Sequence, residues 1–167
     1  MKMTANQVIE LVKLQPHPTC GFFSETYRSK VQVPAAILPP GYDGSRAMGG
    51  VLYFMVTPEA PVKLHRIRSD QMYHYYLGDP LEVLLLYPDG RSAVQVVGPD
   101  LLAGMRPQLL LPGGTFHTAR LSSGGSFSLL GTSVWARAEP SDVEKGNPEQ
   151  LLTAYAAARK EILAFTT

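Results

Sequence analysis

At 167 residues the chain is long enough for one hydrophobic core and too short for two ordinary domains, so a single domain over residues 1 to 167 is expected. Fifteen basic residues against 14 acidic ones leave a net charge of +1, with neither sign in a run, which argues against a nucleic-acid footprint and an electrostatically held membrane surface. Cys20 has no second cysteine to pair with, no basic-then-apolar leader opens the chain, and no apolar run approaches the roughly 20 residues of a bilayer span; a soluble cytoplasmic protein with a small-molecule partner is expected.

Thr4 and Gln7 have the form of a capping box, and Val8, Leu11 and Val12 follow at helical spacing, so an amphipathic helix opens the chain and ends before Pro16. Short apolar or alternating runs come next: Val31 to Leu38, Gly50 to Val56, Val62 to Ile67, Tyr73 to Leu77, Leu81 to Tyr87, Ala93 to Val97, Pro107 to Leu111, Phe116 to Leu121 and Phe127 to Trp135. Turn formers separate them, among them Pro39-Pro40-Gly41, Gly78-Asp79-Pro80, Pro88-Asp89-Gly90, Gly98-Pro99-Asp100 and Gly124-Gly125. Strands at this spacing without helices between them predict an antiparallel sandwich or barrel. Asn147, Pro148 and Gln150 then read as N-cap, first-turn proline and capping partner of a closing helix with the stripe Leu151, Leu152, Tyr155, Ile162 and Leu163. The fold class is all-β with a helix at each end.

The run Pro112-Gly113-Gly114-Thr115-Phe116-His117 follows an apolar strand and resembles the second hairpin of the cupin signature. Leu14-Gln15-Pro16-His17-Pro18, Gly21-Phe22-Phe23, Glu25-Thr26-Tyr27-Arg28-Ser29, His65-Arg66, Ser69-Asp70, Tyr73-His74 and Gly78-Asp79-Pro80-Leu81 come in the order that closely resembles the DUF985 (cupin 5) family. The resemblance implies a double-stranded β-helix, or jelly roll, with flanking helices. It also implies a homodimer, to which the apolar density of Val83 to Leu86 adds a reason. Similarity to sugar-nucleotide epimerases of the superfamily implies isomerase or epimerase chemistry. Departures from the family pattern fall at Thr19-Cys20, in place of Glu-Gly, at Gln71, in place of glutamate, at Tyr73, in place of tryptophan, and at His117, where many members lack histidine.

General cupins hold a divalent metal with histidines and a glutamate from two hairpins. Mapped onto this chain, that pattern falls on His65, Gln71 and His117, with His74 as an extra imidazole, and the metal would be Fe, Mn, Ni or Zn. Gln71 offers only an amide oxygen, so a dication would be held less strongly. Alternation places Gln71, Tyr73 and Tyr75 on one strand face and Met72, His74 and Tyr76 on the other, so without a bulge Gln71 and His74 cannot line one cavity. Matched hairpin positions bring His65 and His117 together at the barrel mouth.

A metal-free reading needs a base on one face of the substrate and a proton donor on the other. His65 is the candidate base, and Tyr73, Tyr75 or Tyr27 the candidate donor. Arg28 can bind an anion bidentately or pair with Glu25; Glu25, Tyr27, Arg28, Gln71 and His117 are the candidate substrate contacts. Arg66 and Arg68 point outward if His65 and Ile67 point inward. Asp70 either orients a histidine or serves its turn, and Cys20 reads as a buried structural thiol. The expected function is an isomerase- or epimerase-type enzyme acting on a sugar or carboxylate derivative. The alternatives are a metal-dependent oxygenase or lyase and a non-enzymatic small-molecule binder.

Overall fold

The computed structural model describes residues 3–166. In chain order, α1 (Ala5–Leu11) is followed by β1 (Gln15–Pro16), β2 (Phe22–Arg28), β3 (Gln32–Val33), β4 (Arg46–Ala47), β5 (Gly50–Val56), β6 (Val62–Ile67), β7 (Asp70–Gly78), β8 (Leu81–Leu86), β9 (Ser92–Val97), β10 (Gln108–Leu111), β11 (Phe116–Leu121), β12 (Ser128–Trp135) and β13 (Val143–Lys145), then α2 (Pro148–Ala154) and α3 (Arg159–Thr166). One sheet runs β1-β2-β5-β12-β7-β10, a second runs β13-β6-β11-β8-β9, and β3 with β4 forms a small third. Strands far apart in sequence, such as β5 with β12 and β6 with β11, are antiparallel neighbours, which is the crossover pattern of a jelly roll.

The two large sheets face each other across a core of Phe54, Val56, Tyr73 and Leu130 from one side and Val62, Val83, Leu85 and Ala119 from the other. The outer faces are covered by helices. Val8 of α1 packs on Met55 and Leu129, while Leu151 and Ile162 of α2 and α3 pack on Leu64, Leu84, Leu86 and Phe116. β8 is therefore buried on both faces, which is why it reads Leu-Glu-Val-Leu-Leu-Leu with no clean alternation. Val83 to Leu86 are fully buried within this one chain, so that run is accounted for without a second copy and adds no reason for a homodimer beyond the family resemblance.

Both predicted caps form. Thr4 Oγ1 accepts the Gln7 N–H while Gln7 Oε1 accepts the Thr4 N–H, and Asn147 Oδ1 accepts the N–H groups of Glu149 and Gln150. Three elements differ from the expectation. Val31 to Leu38 makes only β3 before Pro34 removes a ladder donor, and a 3-10 turn with exposed side chains follows at Ala35–Ile37. β2, which shows little apolar alternation, is a strand. The closing helix breaks at Tyr155, whose φ of −119° and ψ of 57° are not helical; its hydroxyl donates to the Tyr87 carbonyl, and the turn lets Leu151 and Ile162 both reach the sheet. Among the described residues no helix is long and apolar enough to cross a membrane.

Candidate functional site

The open end of the barrel holds a cavity of about 500 Å³, within the range of small-molecule sites. β6 supplies His65 and Ile67 to its wall, β7 supplies Gln71 and Tyr73, and β12 supplies Thr132 and Val134, while a loop at 17–20 and a strap at 137–140 close over it. A buried ion pair anchors the strap: the Arg46 Nε and Nη2 donate to Asp142 at 2.7 and 2.8 Å, and Asp142 also accepts the Glu139 N–H.

His65 reaches the cavity through a bulge. The register pairs His117 with His65 but Ala119 with Val62, so β6 carries an extra residue between two inward-facing positions. The bulge re-aims the following side chain inward. His65 Nδ1 lies 2.6 Å from the Lys63 carbonyl, which can only accept, so Nδ1 carries the proton and Nε2 presents a lone pair. Burial, together with the neighbouring His17 ring, lowers the His65 pKa against the rise from the Lys63 carbonyl, so the ring is neutral near pH 7.

His117 packs beside it with ring centroids 4.3 Å apart, fully buried behind the cavity wall. Its Nδ1–H donates to the Thr115 carbonyl and its Nε2 accepts from the Gln71 amide at 3.4 Å. Burial and then the His65 ring hold its pKa well below 6.5. The hairpin before it is tight for a physical reason: a Cβ on Gly113 would collide with the Arg68 carbonyl.

A third imidazole, which the sequence reading had not placed in the site, enters from the loop. His17 lines the cavity, and its Nδ1 accepts the Thr19 N–H at 3.2 Å, so its proton sits on Nε2. Cys20 Sγ lies 3.1 Å from the same nitrogen, and burial pushes the thiol up to about 12, so it is a neutral donor. The loop is tied to β6 by the Lys63 N–H donating to the Thr19 carbonyl. Gly21 turns it at φ +68°, where a Cβ would strike the carbonyl of Met55. A histidine flanked by prolines, with a cysteine three residues on, was the available signal.

Tyr73 is buried against Phe54 and His117, and burial raises its pKa so that the phenol stays protonated. Its hydroxyl makes no hydrogen bond to a described residue, and the Thr132 hydroxyl beside the same space is buried without a partner among them. An unsatisfied buried hydroxyl is expensive, so Thr132, with the unbonded Tyr73 phenol lining the same cavity, marks where a ligand's polar atoms would be taken.

Other sequence candidates lie elsewhere. Tyr75 faces inward but sits deeper in the barrel, where its hydroxyl donates to the Gly78 carbonyl, and it does not line the cavity. His74 points to the opposite face, bonded to Ser133 and Gln108, as alternation requires. Tyr27 is exposed and outside the cavity because β2 bulges between Glu25 and Tyr27, and Arg28, exposed beside it and paired with Glu25, does not line the cavity either. Glu25 does line it, held by Arg137 at 2.6 Å and Arg28 at 3.1 Å, and these guanidinium groups keep its carboxyl below the ordinary value although its own burial pushes the other way. Arg66 points outward and pairs with Glu144, and Asp70 accepts the Gly113 N–H, steadying the hairpin and bonding no histidine.

The residues present do not fit a divalent metal. Gln71 and His117 are bonded to each other, and among the described residues no three His, Cys, Asp or Glu side chains are disposed to hold one ion. Glu25, the carboxylate on the same wall, is occupied by two arginines.

The cupin superfamily family DUF985 matches this chain over residues 6–144. A solved Leishmania major protein is 28% identical and superposes with a TM-score of 0.85, covering 98% of this chain and 99% of its own. A Shewanella oneidensis protein is 27% identical with a TM-score of 0.83, covering 99% and 98%. A Saccharomyces cerevisiae protein is 28% identical over 69% of this chain, and the match spans 60% of that relative's length.

Proposed function

The chain belongs to the DUF985 family of the cupin superfamily, and from that premise we propose that it is a metal-independent isomerase or epimerase acting on a sugar or carboxylate derivative that carries a carbonyl group. One observation supports this reading above the others: His65 and Tyr73 line the same cavity with burial driving their pKa values apart, so one is a neutral base and the other a protonated acid. His65 Nε2 takes the proton next to the carbonyl, and the C–H electron pair moves onto the carbonyl oxygen as an enolate. Tyr73 then returns a proton from its phenol to that carbon on the opposite face as the electron pair moves back. The imidazolium and phenolate left behind are reset by proton exchange with solvent. His117, bonded to Gln71, packs against His65 from behind and positions it, and Thr132 offers a hydroxyl to the substrate's oxygen.

The test is wash-in of deuterium. Hexose phosphates, hexuronates and their ketose isomers are incubated with the protein in D2O containing EDTA and followed by NMR. Exchange at the carbon next to the carbonyl, abolished in His65→Gln, is expected, with formation of the isomer lost in Tyr73→Phe. Binding without exchange would make the protein a non-enzymatic binder, and exchange that needs added metal would favour a metal-dependent oxygenase or lyase lineage instead.

A further inference from the structure

The ionised groups around the cavity are largely spent on one another. Glu25 is held by Arg137 at 2.6 Å and by Arg28 at 3.1 Å, and Glu139 by Arg137 at 2.8 Å and by Arg28 at 3.8 Å. Two carboxylates and two guanidinium groups thus close a neutral ring at one side of the mouth. Lys145 stands apart from it. It lines the cavity, it is exposed, and it makes no ion pair or hydrogen bond among the described residues. In the β13–β6 register Lys145 lies opposite His65, so its side chain leaves the sheet on the same face as the imidazole.

The depth of the cavity has the opposite character. Thr132 is 6% exposed with an unpartnered hydroxyl, Tyr73 is 3% exposed with a phenol that bonds no described residue, and His65 and Gln71 are both 6% exposed and uncharged. Among the described residues no cation stands there, and taking a bare carboxylate or phosphate out of water with no partner costs several kcal/mol. A negative group on the ligand therefore has one favourable place, at the mouth, where it keeps much of its hydration and meets a lysine that nothing else neutralises.

We propose that the molecule bound in this cavity is an anion held end-on, its carboxylate or phosphate at Lys145 and its uncharged carbonyl- and hydroxyl-bearing end against Thr132, Tyr73 and His65. The orientation rests on the reading of His65 and Tyr73 as the reactive end, and it assigns Lys145 a role in specificity and none in proton transfer. Because the lysine is solvated, its contribution is modest, and screening by salt should erase most of it.

The experiment is calorimetric titration with three matched series, hexoses, their 6-phosphates and their uronates, against the wild type, Lys145→Met, Lys145→Glu and Thr132→Val. At least one anionic series should bind more tightly than its uncharged parent. Lys145→Met should weaken that binding about threefold to fivefold, as expected of an exposed charge pair. Lys145→Glu should weaken it further, and about 1 M salt should remove the difference between wild type and Lys145→Met. Thr132→Val should weaken charged and uncharged members alike without altering the salt dependence. Parent hexoses binding as tightly as their anions, an unchanged affinity in both Lys145 variants, or no binding by any member would overturn the proposal. The deuterium wash-in separates the two ideas: charge-dependent binding without exchange removes the isomerase reading alone, and exchange with charge-independent binding removes this one alone.

Discussion

Replacing Gln71 by glutamate would turn the neutral contact behind His65 into a proton-sharing pair, and the consequence can be worked out in sign and size. Gln71 Nε2 donates to His117 Nε2 across 3.4 Å, with both side chains buried. A carboxylic acid O–H fits the same contact and can pass its proton to the ring. The folded pair then retains one proton, because losing it leaves a carboxylate out of water facing a lone pair. In the unfolded chain the two groups titrate independently, at about 4.3 and about 6.5. In the wild type, His117 has a folded pKa well below 6.5, so below that pH the unfolded chain binds a proton the folded one does not, and stability falls as pH is lowered. In the variant the folded pair keeps a proton that the unfolded chain releases above about pH 6.5, so stability falls as pH is raised. Each mismatch is worth about 1.4 kcal/mol per pH unit. The stability of the variant relative to wild type should therefore decline steadily with pH, by about 3 kcal/mol between about pH 6.5 and 8.5. The other histidines contribute equally to both proteins and cancel. Urea unfolding of both proteins at about one-unit intervals from about pH 5.5 to 8.5 measures the difference. A gap that does not vary with pH would refute the Gln71–His117 contact and the burial argument built on it.

Arg46→Ala should cost about 3–5 kcal/mol, because it takes the bidentate partner from buried Asp142 and leaves it only the Glu139 N–H and the half-exposed Arg68 at 4.0 Å, whereas replacing both partners by Met and Leu should recover much of that loss; denaturant midpoints compare the two. Leu84→Ala, beneath α2 and α3, should cost about 2–5 kcal/mol in the same assay with no loss of ligand binding, since it packs on the face away from the cavity. With its thiol pushed up to about 12 and held against His17, Cys20 should be alkylated by iodoacetamide near pH 8 at least about a hundredfold more slowly than free cysteine, as followed by intact mass; a normal rate would mean the thiol is not held there.

Much of the barrel could be read from local chemistry. The hairpin at Pro112 to His117, the caps at Thr4 and Asn147 and the alternation along β7 each depend on neighbours in sequence, and alternation separated Gln71 and Tyr73 from His74. Alternation says nothing about depth. Tyr75 shares the inward face of Tyr73 but lies two residues farther from the mouth, which only the closed sheet determines. Bulges escape it as well: those in β2 and β6 decide that Tyr27 is outside and His65 inside, and an inserted residue leaves no periodic mark. His17 belongs to an aperiodic loop, and the pairing of Arg137 with Glu25 joins positions far apart in the chain. Both needed the fold before they could be seen. Apolar density at Val83 to Leu86 was real but ambiguous, since a strand covered by helices on one side and a barrel core on the other reads the same as one facing a partner.

Everything proposed for the cavity depends on a neutral His65 whose Nε2 lone pair is free to take a proton. Long-range nitrogen–proton NMR of protein labelled at histidine reads this without any ligand. It should show His65 and His117 as Nδ1–H tautomers and His17 as the Nε2–H tautomer at pH 7, with His65 titrating below 6.5. A His65 that carries its proton on Nε2, or that is an imidazolium at pH 7, would contradict the account.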